Sequence, residues 1–161
     1  MQRHEALQDL SRDHHHGLVW AQRLEEAGDP QGARDPDGTA EAFASFWEDE
    51  LADHFTEEEL VLLPVYQRHA DLREDELVLA MVADHAWFRD AVPGLGDREG
   101  DELPARLREL GERLEAHARM EDRELFPRIE EALSEDELAL VHERSMRFRR
   151  EHRGEDAIGP R

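Results

Sequence analysis

Two stretches of this 161-residue chain, HFTEEELVLLP at 54–64 and HARMEDRELFP at 117–127, each set a glutamate four residues after a histidine. On a helix, residues at i and i+4 lie one above the other, so His54/Glu58 and His117/Glu121 would each present an imidazole and a carboxylate to one face. That spacing alone carries little weight, because chance gives roughly 1.5 such pairs in a chain this rich in histidine and glutamate. The longer match does carry weight. Both stretches place an apolar residue at +9 and a proline at +10, and with seven prolines in the chain a double coincidence is on the order of one in 500. Two further histidines correspond as well, through Asp13-His14 and Asp84-His85. The chain reads as a helix bearing His, then a helix bearing His-x-x-x-Glu, used twice. Four imidazoles and two carboxylates would then face one axis with pseudo-twofold symmetry. Two metals bridged by Glu58 and Glu121 would each receive two imidazoles. Mixed nitrogen and oxygen ligation without sulfur suits iron, with manganese or zinc as substitutes. An octahedral ion held this way keeps about two positions open for a small diatomic or peroxide ligand.

The elements that must position these groups follow from hydrophobic periodicity. Leu7, Leu10, His14, Leu18, Ala21 and Leu24 share a face in the first segment. Trp47, Leu51, His54, Glu58, Leu62 and Val65 do so in a second, from about Thr39 to Ala70. Val78, Met81, His85, Phe88 and Val92 mark a third, about 73–92, and Leu107, Leu110, Leu114, His117, Glu121 and Leu125 a fourth, about 104–133. The turn-rich GDPQGARDPDG at 28–38 and the Pro93-Gly94 turn separate them. Ser134 and Glu137 read as a capping box opening a shorter fifth helix that ends near Gly154. No window alternates as a strand would. The expectation is all-α: an up-down four-helix bundle with an additional C-terminal helix, one domain over 1–154 and a short tail at 155–161.

Every long helix thus places a histidine on its core face, where an ionisable group is costly unless paired or metal-bound. His15 and His16 share a run with His14. Helical phase and the match to Asp84-His85 favour His14 as the ligand, with His15 as the alternative. Glu57 and Glu59 lie about 100° round the helix from Glu58 and are expected to be solvated. Asp13, Asp53 and Asp84 are either surface acids or acceptors for the outer imidazole N–H of a neighbouring helix. Gly17 permits either close helix contact or a channel to the metals. Met81, Trp87 and Phe88 would line either a gas pocket or ordinary core. His4, His69, His142 and His152 fall outside the constellation.

All 20 basic residues are arginine, and against 41 acids they leave a net charge of −21. Such a chain is unsuited to nucleic acid or an anionic membrane. With no cysteine, disulfides, thiol catalysis, iron–sulfur clusters and thiolate zinc sites are excluded. No leader-like apolar region opens the chain, and no stretch approaches the roughly 18 apolar residues of a membrane span. A cytoplasmic protein is expected. Residues 142–161 are locally basic, with six arginines and four acids. They form either a solvated helix end or a docking surface for a protein partner or a second copy of the chain.

In SRDHHHGL, HFTEEELVLLP, VADHAWF and HARMEDRELFP, taken in that order, the chain resembles the hemerythrin-like, or HHE cation-binding, family over about residues 5–131. The resemblance implies a di-iron bundle with ligands at His14, His54, Glu58, His85, His117 and Glu121. Oxygen-carrying members have a further histidine one turn before the position of His85, where this chain has Met81. They also use an aspartate at +5 on the fourth helix, where this chain offers a glutamate at +4. These departures point away from simple oxygen storage and toward the bacterial branch, associated with oxygen or nitric oxide sensing, iron handling and peroxide chemistry. An enzymatic alternative, a peroxidase, catalase or ferroxidase-like activity, attaches to the same residues, as does iron delivery or repair.

Overall fold

The computed structural model describes residues 2–153, so the tail expected at 155–161 lies outside the described residues, as does the domain limit at Gly154. Five helices account for the architecture, and no strand occurs among the described residues. They are α1 (Glu5–Ala27), α2 (36–66), α3 (Glu76–Ala91), α4 (102–132) and α5 (Glu135–Arg153). The starts of α1, α2, α3 and α5 are chemically defined. His4 Nδ1 accepts the Ala6 N–H at 3.0 Å, Asp35 accepts from Gly38 with Pro36 in the first turn, and Asp75 accepts from Leu77 and Val78. Each cap satisfies a backbone donor that the helix itself leaves unpaired. The expected capping box is present: the Glu137 N–H donates to Ser134 Oγ at 3.2 Å, and the Ser134 N–H to the Glu137 carboxylate at 3.1 Å.

Helices α1 to α4 form the bundle, with α1 packed most extensively along α4, and α5 lies across α1 and α2. The close approach of α1 and α4 is set by Gly111, where a Cβ would stand 2.7 Å from the Ala21 carbonyl oxygen. Gly17 has no such role, since a Cβ there would meet only Leu114 Cδ1, at 3.9 Å. The core falls into two apolar layers. One holds Leu7, Leu10, Leu62, Met81, Phe126 and Ile129, closed by Leu138, Val141 and Phe148 of α5. The other holds Leu24, Phe43, Phe55, Phe88, Leu107 and Leu110. Met81 and Phe88 are fully buried members of these layers, which supports the core reading over a gas pocket.

Helices α2 and α4 are interrupted by wide turns. At Glu58–Leu62 and Glu121–Leu125 the backbone bonds five residues back: the Leu63 N–H reaches the Glu58 carbonyl and the Phe126 N–H reaches the Glu121 carbonyl. Pro64 and Pro127 explain why. Proline has no N–H for the carbonyl four residues before it, and its ring crowds that carbonyl, so an extra residue in the preceding turn relieves both problems. The proline repeated at +10 in the sequence is therefore the cause of a π turn that begins at each glutamate. A third π turn, Trp47–Leu51, precedes His54 without a proline.

Candidate metal centre

The six histidines and glutamates of the two sequence repeats meet between the two apolar layers. Their donor atoms form two groups, each lying within 4.8 Å: His14, His54, Glu58 and Glu121, and then Glu58, His85, His117 and Glu121. Both glutamates belong to both groups. Glu58 Oε1 is 3.3 Å from His54 Nε2 and also 3.3 Å from His85 Nε2, while Glu121 Oε1 is 3.5 Å from His14 Nε2 and in contact with His117 Nε2. All six residues are buried, none more than 4% exposed. The structure places His14 in this cluster and leaves His15 exposed.

Four carboxylates surround the imidazoles on their outer side, and they run round the bundle in order. From α1, Asp13 accepts the His54 Nδ1–H of α2 at 2.9 Å. From α2, Glu59 accepts the His85 Nδ1–H of α3 at 2.6 Å. From α3, Asp84 accepts the His117 Nδ1–H of α4 at 3.0 Å. From α4, Asp122 closes the ring onto His14 of α1, at 2.9 Å from Nδ1, an ion-pair distance without the alignment of a hydrogen bond. A carboxylate only accepts, so where the bond is made the proton sits on Nδ1 and the Nε2 lone pair points inward. Each helix thus brings its own inward residue and an adjacent acid set against the next helix's imidazole, hydrogen-bonded to it in three of the four cases.

This ring decides one open alternative and corrects one expectation. Asp13 and Asp84 are acceptors for imidazoles rather than surface acids, and Glu59 is not simply solvated. The expectation treated 100° round the helix as solvent, but in a four-helix bundle that direction is the seam with the neighbouring helix. Glu57, on the other flank of Glu58, is completely buried beneath α5. There it meets Arg149, with Nε 2.9 Å from its carboxylate, and Arg149 Nη2 also donates to Asp13 at 2.7 Å. Arg149 itself is only 4% exposed, so this part of the basic segment is neither solvated nor free for docking. The acids at 59 and 122 were missed, although each follows its glutamate directly in EEE and MED.

The cluster has a clear electrostatic need. All four Nε2 atoms and all four carboxylate oxygens of Glu58 and Glu121 are buried without a hydrogen-bond partner. At about 1–3 kcal/mol each, eight such atoms would rival the whole stability of a domain, about 5–15 kcal/mol. Without a cation, protons fill the gap in part. Burial alone would lower His117, but Glu121 and Asp84 outweigh it and push it up to about 10. His14 is likewise held well above its ordinary value, against burial, by Asp122, Glu121 and Glu58, and His85 is raised by Glu58 and Glu59. Burial would raise Glu121, yet His117, with Glu58 and His14, brings it well below the usual carboxylate range. Donor atoms about 2 Å from a shared ion stand about 3–4 Å apart, and in each group all four donors lie within 4.8 Å of one another. The arrangement is one that metal cations fit.

The sequence pattern of the hemerythrin HHE cation binding domain matches residues 6–129. The chain belongs to the hemerythrin HHE cation-binding family. The match covers α1 to the end of the paired repeat in α4, and so all six clustered residues, while α5 lies beyond it. No curated protein and no solved structure matches the chain. Family membership together with the buried His/Glu groups marks a metal-binding site in an all-helical HHE domain. No helix among the described residues is long and apolar enough to cross a membrane.

Proposed function

We propose that this HHE domain is a cytoplasmic non-haem di-iron protein that binds or senses oxygen, nitric oxide or a related oxidant. His14 and His54 would hold one iron and His85 and His117 the other, with Glu58 and Glu121 bridging. The observation that carries the reading is the sharing of both glutamates between two donor groups of otherwise equal make-up. Donors that are all imidazole and carboxylate favour iron, with manganese or zinc able to substitute. Bound there, iron supplies reversible coordination or redox chemistry toward a small oxidant.

The chain's own residues shape what reaches the centre. The outer carboxylates fix the imidazole tautomers and ring planes. Phe55 stacks on His85 at 3.9 Å and Phe126 on His14 at 5.1 Å, so apolar rings cover the histidines of α1 and α3. The two apolar layers exclude bulk water above and below, which favours small uncharged ligands over charged ones. A second reading, turnover of peroxide, rests on Met81. This thioether stands in the apolar layer one turn before His85, so α3 contributes one imidazole to the centre. Metal analysis of iron-reconstituted protein, with optical spectra before and after oxygen, nitric oxide and peroxide, tests the proposal. Two irons per chain and a reversible spectral change support sensing, and sustained peroxide consumption abolished by Glu58→Ala supports the enzyme. Fewer than two metals per chain would overturn the di-iron reading.

A further inference from the structure

The Glu57–Arg149 pair is not needed to complete the ring of imidazoles and carboxylates, yet it is buried in full. Removing two charges from water costs several kcal/mol per ion, and apolar residues of similar volume commonly do as well or better for stability. Its geometry suggests another role. Glu57 pairs with Arg149, its carboxylate 2.9 Å from Nε and also accepting from Nη2 at 3.4 Å; the same Nη2 donates to Asp13 at 2.7 Å, and the same Asp13 oxygen accepts the His54 Nδ1–H at 2.9 Å. The line therefore runs from α5, which lies outside the four-helix bundle, to one imidazole of the centre.

The other braces differ in origin. Glu59, on His85, is paired with Arg89 at 2.9 Å, an exposed residue of α3 itself. Asp122, on His14, accepts from Ser11 Oγ of α1 at 3.0 Å, and Ser11 accepts from Arg3 Nε at 3.1 Å. Only the His54 branch, among the described residues, passes through α5. Helix α5 is held by Leu138, Val141 and Phe148 on one apolar layer, and its docking is what brings Arg149 to Asp13.

Resting on the di-iron reading, we propose that Arg149 is a positioning residue for His54: the metal position of His14 and His54 keeps its affinity only while α5 is docked, and the position of His85 and His117 does not depend on it. Helix α5 then gives the domain a means of altering one metal position without disturbing the other.

The test is an anaerobic calorimetric titration of the metal-free full chain with ferrous iron, with helix content checked by circular dichroism. Arg149→Met alone would take the guanidinium away from a buried carboxylate, so the informative variant is Arg149→Met with Glu57→Leu, which removes both charges. The expected result is one position unchanged and one weakened by about 3–10-fold, less than the 10–100-fold found when a ligand's direct outer partner is removed, because Asp13 stays in place. Adding His117→Ala to the double variant should remove the remaining tight position, and adding His54→Ala should leave it intact. Equal weakening of both positions, no weakening, or loss of the His117 position would overturn the proposal. If the double variant loses helix content, Arg149→Lys is read the same way: a smaller, selective weakening supports the role and unchanged affinities overturn it. A wild-type chain that binds fewer than two metals would overturn the di-iron reading itself, a result distinct from two normal positions that ignore Arg149.

Discussion

On the side of His14 and His54, the outer carboxylates Asp122 and Asp13 are held by Ser11, Arg3 and the buried Arg149. On the side of His85 and His117, Glu59 meets the exposed Arg89, and no arginine among the described residues pairs with Asp84. The inner parts of the two halves match closely. Each has two imidazoles whose rings cross edge-on at 5.0 Å, the same two shared glutamates, and one outer acid from each flanking helix. The repeat in the sequence therefore extends through the clustered histidines and glutamates, the ring of acids and the proline-linked π turns, but not to the groups that brace the acids. Those groups are unique to each half, and that is where two chemically similar metal positions can be made to differ.

The largest expected effect is the one that treats both halves alike. Glu58→Ala or Glu121→Ala removes a carboxylate common to both donor groups, so metal content after iron reconstitution should fall from two per chain toward none. Retention of one full equivalent by either variant would show that the glutamates do not bridge. Next in size are the imidazoles, which should act on one half each. His54→Ala and His117→Ala should each leave close to one metal per chain, with His14→Ala and His85→Ala weakening binding in the same half without unfolding the bundle. A larger loss from His15→Ala than from His14→Ala would contradict the placement of His15 outside the cluster.

The outer acids come third and should expose the difference between the halves. Asp13→Asn and Asp84→Asn remove equivalent members of the ring, and each should cost about 10–100-fold in affinity at its own position. Asp13→Asn should also lower the melting temperature of the metal-free protein more than Asp84→Asn does, because it leaves the buried Arg149 with one carboxylate fewer. Equal melting temperatures for the two variants would mean that Arg149 is satisfied without Asp13.

What could be read from the sequence follows the same boundary. His14, His54, Glu58, His85, His117 and Glu121 interrupt apolar faces at helical spacing and recur, so period and repetition together locate them. Asp13 and Asp84 were visible as a repeated Asp-His but not their targets, because a target on another helix depends on how the helices pack. Glu57 shows the limit most clearly. Nothing in TEEEL distinguishes the residue that binds Arg149 from a solvated acid, since its partner is 92 positions away on a helix whose docking site only the tertiary structure defines. The π turns at Glu58 and Glu121 were legible in principle, because a proline inside a strong helical pattern breaks the helix, kinks it or widens the turn before it; the one at Trp47–Leu51 carries no such signal.

Acidity probes the cluster as a whole. In the metal-free chain His14, His85 and His117 bind protons more tightly folded than unfolded. Their contribution to stability is complete below the unfolded value near 6.5 and is lost as pH rises through the folded values, about 10 for His117. Glu121, depressed in the folded state, contributes above its unfolded value near 4.5 and loses that contribution as pH falls. Two carboxylates facing each other would by themselves raise one another, but for Glu121 His117 stands against it and reverses the direction. Metal-free protein should therefore melt highest between about pH 4.5 and 6.5 and weaken toward pH 8 and above. Metal must displace those protons, so the gain in melting temperature on adding iron should be larger at pH 8 than at pH 5. The same gain at both values would mean that the metal binds elsewhere.

The smallest effect concerns a place where the repeat fails near the centre. Offsetting His14 onto His85 puts Gly17 where the second half has Phe88, a fully buried ring 6.5 Å from the His117 ring. In the first half that position is empty of side chain, and a methyl group there would find only Leu114 Cδ1, at an ordinary 3.9 Å. Alanine in place of an interior helical glycine gains about 1 kcal/mol from propensity, which for a chain of this size raises the melting temperature by about 2–4 °C. Gly17→Ala should therefore stabilise the metal-free protein modestly and leave both iron affinities unchanged. Stopped-flow mixing of the iron-loaded variant with nitric oxide then separates the two uses of the glycine. Unchanged association rates would make it a simple gap in the packing that the second half fills with Phe88. A slower rate at unchanged iron affinity would make it part of the route by which a small ligand reaches His14, giving the two halves different access as well as different bracing.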